Sequence, residues 1–301
     1  MTERVRVGTR RSRLALVQTE SVMVRLAGRF PAIRFETVPI ETSGDRDPRP
    51  GGSPDFTDAI DRALTRGEID LAVHSAKDLD SRLASGLELA ACCRRADPRD
   101  CLVVRAGLSP LRLPRGARVG SSSLRRRAQL LRQRADLDIV EIRGNVDTRI
   151  GLVRSGKVDA VILAVAGLTR LGRTREIGRI LSTRSFLPAP AQGALAVVIR
   201  ENDRSVRPIV ETLDHCPTRA AVVAERAFSA ALGGDCRVPL AALASARGRS
   251  LSLVGEVLSS DGIRHIRASR RGPSRLAEEL GRSLAKSVLA AGGAEILASR
   301  R

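Results

Sequence analysis

Apolar, strand-like runs alternate with helix-like segments over the first two-thirds of the chain, and this alternation restricts the fold more than any other feature. The N-terminal third illustrates it, because predicted strands and helices follow one another at Val5–Gly8, Ser12–Leu26, Phe35–Ile40, Phe56–Arg66 and Ile69–Val73. Such alternation predicts an α/β fold with mainly parallel sheets. Ligands of these folds bind at the carboxyl ends of the strands, so residues that follow a strand are the first candidates for a site.

The rest of the chain consists of a second strand–helix series and a final region of different character. The series runs from the strand Cys101–Val104 to Leu195–Ile199, a strand that we expect to return to the first lobe. Two later strands, Leu251–Val257 and Ile263–Ala268, are followed by a helix, Ser274–Ala291, and predict a small α+β domain. We therefore predict a first α/β lobe from residues 1–94 and 193–211, a second from residues 98–189 and a C-terminal domain from residues 215–301.

A general preference for arginine explains most of the surface charge, whereas the arginines inside motifs favour a carboxylate or phosphate ligand. With 52 Lys and Arg against 33 Asp and Glu, the formal net charge is +19, a field that attracts polyanions. Only 2% of residues are aromatic, however, and with no Trp or Tyr there are few platforms for stacking bases, so we expect no nucleic-acid partner. Apolar runs are too short to cross a bilayer and the N-terminus lacks a signal-peptide plan, so we expect no membrane partner and a cytoplasmic location.

The five cysteines indicate neither a disulfide framework nor a metal site. Their number is odd, no C-x-x-C spacing occurs and the three histidines are widely separated, so we expect no metal. Cys236 differs from the others because it lies in the glycine-rich loop LGGDCRVP beside an arginine. A thiol with a lowered pKa in such a loop would be a nucleophile or a point of covalent attachment.

The strongest local motif is VGSSSLRRRAQL (Val119–Leu130), in which a strand runs into three serines and then a helix. Backbone N–H groups, serine hydroxyls and the positive end of the helix all favour a bound anion. Simple capping by one serine explains the serines equally well. Arg125 and Arg126 in the first turn are electrostatically unfavourable unless an anion is present, so the motif favours anion binding.

Arginines follow three other predicted strands. Arg143 and Arg149 lie in IRGNVDTR, Arg10 lies in GTRRSR, and Arg170 lies in VAGLTRLG. Each alone is typical of a solvated surface charge. Together they predict a site for a ligand with several carboxylates, because guanidinium binds carboxylate through two parallel hydrogen bonds.

Lys77 and Asp78 directly follow an apolar strand in AVHSAKDLD. A surface ion pair is the ordinary interpretation of such a pair. If Asp78 instead faces the arginines, its carboxylate stays ionised and could stabilise a cationic intermediate or orient an N–H donor.

Nine segments together resemble the porphobilinogen deaminase family nearly end to end. They are, in order, GTRRSRLAL, IDLAVHSAKD, RADPRDCLV, VGSSSLRRRAQL, IRGNVDTR, DAVILAVAGLTRLG, LPAPAQGALAV, AERAF and LGGDCRVP. The serine–arginine motif and the AVAGLTRLG run are specific to that family. The resemblance implies a monomer with two lobes like those of periplasmic solute-binding proteins and a smaller third domain.

The resemblance also implies an activity. The family joins four porphobilinogen molecules head to tail with loss of ammonia and releases hydroxymethylbilane by hydrolysis, as a transferase of haem and tetrapyrrole biosynthesis. The chain grows on a dipyrromethane cofactor, which a thioether links to the cysteine of the LGGDC segment, here Cys236. The acid of the KD pair, here Asp78, is regarded as catalytic.

The remaining site residues follow from the same motifs. Predicted catalytic residues are Asp78, Arg10, Arg143 and Arg149. Predicted cofactor ligands are Cys236, Lys77, Ser122, Ser123, Arg125, Arg126 and Asn145. Predicted substrate ligands are Arg10, Ser12, Arg143, Arg149, Arg170 and Gln192. Each porphobilinogen carries an acetate and a propionate, so a lining of guanidinium groups suits the growing chain.

One loop departs from the family pattern. The family has lysines in a flexible loop of the form GG-K-x-LF, whereas this chain has GGSPDFTD, with Ser53 and Asp58 at those positions. Arg46 or Arg49 is a candidate replacement. Without one, the alternative function is that of a catalytically impaired deaminase-like protein that binds tetrapyrrole precursors. The retained Cys236 favours the active enzyme.

Overall fold

The computed structural model describes residues 3–43, 56–80, 82–234 and 238–299. The chain divides into two compact units, Met1–Ala96 with Gly193–Arg219, and Asp97–Gln192 with Ala220–Arg301. The strands of the described residues are β1 (Arg4–Arg10), β2 (Arg34–Ile40), β3 (Leu71–Ser75), β4 (Leu87–Cys92), β5 (Asp100–Val104), β6 (Arg118–Gly120), β7 (Asp138–Val140), β8 (Ala160–Ala164), β9 (Arg179–Ile180), β10 (Leu195–Arg200), β11 (Leu240–Arg247), β12 (Ser250–Leu258) and β13 (His265–Pro273). The α-helices are α1 (Arg13–Ala27), α2 (Asp58–Thr65), α3 (Leu124–Gln133), α4 (Val146–Arg154), α5 (Val165–Arg170), α6 (Arg207–Glu211), α7 (Cys216–Ala231), α8 (Ala277–Val288) and α9 (Ala294–Ala298).

The first unit is built on a five-stranded sheet with the order β2-β1-β3-β10-β4. Helix α1 begins after Ser12, whose Oγ accepts a hydrogen bond from the Ala15 N–H at 3.3 Å. Its buried side chains Val22 and Leu26 join an apolar cluster that covers one face of the sheet. Helix α2 contacts β1, β3 and β10.

The second unit contains a five-stranded sheet with the order β7-β6-β8-β5-β9. Successive residues of β5 and β8 alternate between two separate apolar clusters. Because successive side chains of a strand point to opposite faces, both faces of this sheet are covered.

Both sheets are mixed but mainly parallel, as predicted, because four strands of each sheet run in one direction and a single strand runs in the other. β1 is parallel to β2 and β3, and β6 is parallel to β7 and β8, but β10 and β5 are antiparallel to both of their neighbours. In the first sheet, Leu195 at the start of β10 lies opposite Ser75 at the end of β3. Strand β10 therefore begins at the edge of the sheet where β3 ends, and it runs antiparallel to β3. The predicted α/β class itself is confirmed.

The C-terminal residues form a separate antiparallel sheet with the order β11-β12-β13. Residues of α7 and α8, such as Phe228 and Leu284, pack with Leu253 of β12 in one apolar cluster. The sequence analysis missed β11 because LAALASAR is alanine-rich and lacks β-branched residues. The separate third domain stays a prediction.

The predicted bounds of the last helix, Ser274–Ala291, are wrong at both ends. A 3₁₀ turn occupies Ser274–Leu276, and α8 ends at Val288. A π turn follows, in which Gly292 has a φ of 101°. Glycine adopts this left-handed conformation without the strain that a Cβ adds, so the helix breaks there.

Candidate active site

The neighbouring carboxyl ends of β1 and β3 carry four predicted site residues. Arg10 is the last residue of β1, and its guanidinium carbon lies 3.9 Å from the centre of the Phe56 ring, a cation–π contact. Ser12 follows as the N-cap of α1. Lys77 and Asp78 share a 3₁₀ turn directly after β3. The first unit therefore gathers two cations, one acid and one hydroxyl at one edge of its sheet.

The same edge holds a buried histidine that the sequence analysis did not assign. His74 belongs to β3 and is 5% exposed. Its Nε2 has no hydrogen-bond partner among the described residues. Burial, together with the positive charge of Arg10, lowers the pKa of His74 to about 4, so the imidazole is neutral at pH 7.

The three serines before α3 divide between capping and contact with an arginine. Ser123 is the N-cap, and its Oγ accepts a hydrogen bond from the Arg126 N–H at 3.4 Å. Ser121 Oγ accepts one from the Ser123 N–H at 3.2 Å. Ser122 Oγ lies 3.4 Å from Nη2 of Arg149, which donates to it. One serine therefore caps the helix, and another contacts a predicted site arginine.

Arg125 and Arg126 form a buried ion triad with Asp100, the residue that opens β5. The exposed fractions of the three residues are 5%, 6% and 0%. Nη1 of Arg125 donates to Asp100 Oδ2 at 2.8 Å, and Nη2 of Arg126 donates to Oδ1 at 2.7 Å. Nη1 of each arginine also donates to a backbone carbonyl, that of Leu187 at 2.7 Å and that of Ile162 at 3.1 Å.

Asp100 changes the electrostatic argument for the serine–arginine motif. Burial raises the pKa of Asp100, but Arg125 and Arg126 outweigh it and hold that pKa well below its usual range. The chain itself supplies the anion, so the argument that these arginines need an external one is wrong. Two cations and one anion leave one net positive charge, and binding of a ligand by these arginines stays a prediction.

Gln192, a predicted substrate ligand, belongs to the same buried network. It is 1% exposed, and its Nε2 donates to the Pro98 carbonyl at 2.7 Å and to Asp100 Oδ1 at 3.1 Å. The turn before it contains Ala191 with a φ of 60°, which is costly for a residue with a Cβ. The fully buried Glu225 accepts a hydrogen bond from the Ala191 N–H at 2.5 Å and so stabilises this turn.

The other predicted residues of the second unit follow two further parallel strands. Asn145 caps α4 after β7, and Arg149 on α4 donates from Nε to a backbone carbonyl at 2.9 Å. Arg143 pairs with Glu141 at 3.0 Å. Arg170 is the last residue of α5, which follows β8. Because β6, β7 and β8 are neighbouring parallel strands, α3, α4 and α5 all start at the same edge.

The structure leaves some predictions without a test. Cys236, Ser53, Arg46 and Arg49 lie outside the described residues. Asp58, at the other expected lysine position, is the first residue of α2. Its carboxylate forms an ion pair with Arg62, one turn later in the helix.

The remaining cysteines have the character of structural residues. Cys92, Cys93 and Cys101 are buried, and Cys216 is exposed. Burial raises the pKa of the Cys101 thiol to about 12, which makes its reactive thiolate form very rare.

Sequence reasoning missed three residues of these clusters. Asp100 had a usable signal, because a lone acid that opens an apolar strand needs a buried cationic partner. His74 had one too, as a polar residue inside the apolar run LAVHS. The contact of Phe56 with Arg10 had none, since it depends on where α2 packs.

Within residues 3–43, 56–80, 82–234 and 238–299, no group of three or more His, Cys, Asp or Glu residues is arranged to hold a metal ion. Over the same ranges, each helix is too short or too polar to span a bilayer.

Two family models match this chain. The model "Porphobilinogen deaminase, dipyromethane cofactor binding domain" matches residues 5–208, and "Porphobilinogen deaminase, C-terminal domain" matches residues 219–290. The chain belongs to the porphobilinogen deaminase family. It is therefore an enzyme, a transferase, as the sequence analysis predicted.

Individual members of the porphobilinogen deaminase family agree with this assignment. The porphobilinogen deaminase of Geobacter sulfurreducens is 45% identical over 300 residues, which cover 98% of this chain and 94% of the relative. That of Thermus thermophilus is 45% identical over 296 residues and covers 98% of both chains. Among solved structures, an ancestral arginine-binding protein bound to arginine is similar to this chain, with 17% identity and a TM-score of 0.42. The match covers 71% of this chain and 91% of that protein's chain.

Proposed function

We propose that this chain condenses four porphobilinogen molecules head to tail, with loss of ammonia, and releases hydroxymethylbilane. The observation that carries the proposal is the family match over residues 5–208 and 219–290. The local structure supports it, because Asp78 and Lys77 sit in one turn at the end of β3, beside the strand that ends in Arg10. An acid beside cations suits a reaction in which carboxylate-bearing pyrroles pass through cationic states.

We propose that the family's dipyrromethane cofactor is attached to Cys236 as a thioether. When bound, this group supplies the pyrrole carbon to which the first substrate is added. Residues of the second unit fit its carboxylates: the buried triad retains one net positive charge, and Arg149 lies against Ser122. We assign Lys77, Ser122, Ser123, Arg125, Arg126 and Asn145 to cofactor binding.

In this proposal six polar residues bind the substrate. We assign Arg10, Ser12, Arg143, Arg149, Arg170 and Gln192 to binding of the acetate and propionate groups. Asp78 stabilises the positive charge that develops on a pyrrole as ammonia leaves. Arg46 or Arg49 replaces the lysines of the family loop. The protein acts as a cytoplasmic monomer without a nucleic-acid partner.

The second candidate function, binding of tetrapyrrole precursors without efficient turnover, rests on one observation. Asp58, which stands at a lysine position of the family, carries the opposite charge and is the first residue of α2. An acid there repels the substrate carboxylates that the lysine of the family would attract.

The attachment of the cofactor is tested by intact mass spectrometry and Ehrlich's reagent on purified protein. Wild type is expected to show one added dipyrromethane and a positive colour reaction. Cys236→Ser is expected to show the bare polypeptide mass, because the thioether sulfur is gone.

The matched control is Cys216→Ser, since Cys216 is the exposed cysteine among the free ones described. It is expected to keep the adduct. An unmodified wild type, or an adduct retained in Cys236→Ser, would contradict the assignment of the cofactor to this cysteine.

A further inference from the structure

His74 and Arg10 occupy the same face of the first sheet. Ser75, the next residue of β3, shares hydrogen bonds of 3.0 and 3.1 Å with Gln18 of α1, so Ser75 points to the α1 face. Side chains of a strand alternate, so His74 points to the opposite face. In β1, Thr9 Oγ1 donates to a backbone carbonyl of α1 at 3.4 Å, which places the side chain of Arg10 on that opposite face too.

The register of the sheet makes these two residues neighbours. β1 and β3 are parallel, with Val7 opposite Leu71 and Gly8 opposite Ala72. Continuing the pairing by two residues brings Arg10 level with His74. The influence of the Arg10 charge on the pKa of His74 agrees with this proximity.

The imidazole of His74 has unused hydrogen-bonding capacity. Its Nε2 is buried and unpartnered among the described residues. An unpaired buried polar atom is destabilising, so its presence in a native fold points to a partner from outside the chain. The ring is neutral at pH 7 and carries one N–H, so its Nε2–H tautomer offers a donor beside Arg10 without adding a second positive charge.

We propose that the Nε2–H of His74 donates a hydrogen bond to a substrate carboxylate whose charge Arg10 balances. His74 is then a specificity-determining residue: a guanidinium supplies charge, and the imidazole fixes the orientation of the carboxylate. Phe56, stacked on Arg10, holds the guanidinium in place. This inference rests on the proposed function, because porphobilinogen is the ligand that brings the carboxylate.

The test compares His74→Phe, His74→Gln and His74→Asn with wild type as complete, cofactor-loaded enzymes. A glutamine amide nitrogen reaches the position of Nε2, whereas an asparagine amide reaches only that of Nδ1. We expect the KM for porphobilinogen to rise about tenfold or more in His74→Phe and His74→Asn, the loss that fits one hydrogen bond to a charged group. His74→Gln is expected to restore most of the wild-type KM.

Two controls separate this role from a structural one. Cys92→Ala alters a buried residue in the same row of the sheet, where Cys92 pairs with Ala196 and Ala196 with His74. It is expected to lower the melting temperature and leave KM unchanged. Melting temperatures of the three His74 variants without substrate report any loss of packing.

The outcomes are distinct. If wild type turns porphobilinogen over and all His74 variants keep its KM, with changes only in melting temperature, His74 holds a structural water or packs in the core, and the inference is wrong. If wild type itself does not consume porphobilinogen, the proposed function fails and the inference falls with it. If His74→Phe does not fold, the other two variants decide between the two roles. A KM that is higher in His74→Asn than in His74→Gln supports the hydrogen bond, and equal KM values contradict it.

Discussion

Asp100→Asn is expected to lower the free energy of unfolding by about 3–5 kcal/mol, the usual cost of removing one partner from a buried ion pair. Arg125 and Arg126 are almost fully buried and donate to both oxygens of Asp100. Asparagine keeps the shape of the side chain but removes the negative charge, so two adjacent guanidinium groups would repel each other at the start of α3. Urea denaturation followed by circular dichroism measures the change.

Asp97→Asn is the matched control for this variant. Asp97 lies three residues earlier and pairs with Arg99, whose side chain is 44% exposed. Surface pairs of this kind contribute up to about 1 kcal/mol, so the control is expected to lose little stability. Equal losses in the two variants would show that the triad does not stabilise the second unit.

The same variant has an expected acid dependence. The folded pKa of Asp100 lies below its unfolded value of about 3.9. The ionised Asp100 therefore makes its full contribution to the free energy of unfolding above about pH 3.9, and this contribution is lost as the pH falls toward the folded pKa. Wild type should lose more stability than Asp100→Asn between about pH 4 and pH 2.

Asp78→Asn is expected to lower kcat about 100-fold or more, the usual loss when a preorganised group aimed at developing charge is removed. Asparagine keeps the size of the side chain in the turn after β3 but cannot balance a positive charge. Steady-state consumption of porphobilinogen measures kcat, and intact mass shows that the cofactor is still attached.

Asp80→Asn provides the control, since Asp80 is an exposed acid two residues after Asp78. It is expected to retain the wild-type kcat. Near-normal turnover by Asp78→Asn, with cofactor attached, would show that the carboxylate is not the group that stabilises the reacting pyrrole.

The sequence predicted the features that depend on local pattern. Alternating apolar runs located most strands of the two larger sheets, and Ser12 and Ser123 are N-caps, as their positions before the predicted helices suggest. The site residues follow the ends of parallel strands, where α/β folds place them.

What the sequence did not reveal depends on contacts between distant residues. Asp100 meets the arginines of α3 across 25 and 26 positions, and no local pattern shows that pairing. The direction of β10 depends on where the chain returns to the first sheet. Strand β11 has a weak intrinsic β propensity, but it forms because each of its residues pairs with a residue of β12.

Incubation of the purified protein with porphobilinogen tests the central claim most directly. We expect equimolar release of ammonia for each porphobilinogen consumed, and hydroxymethylbilane, detected as the uroporphyrin that forms when it cyclises and is oxidised. Binding of porphobilinogen without release of ammonia or formation of the bilane would contradict the account and favour a protein that only binds tetrapyrrole precursors.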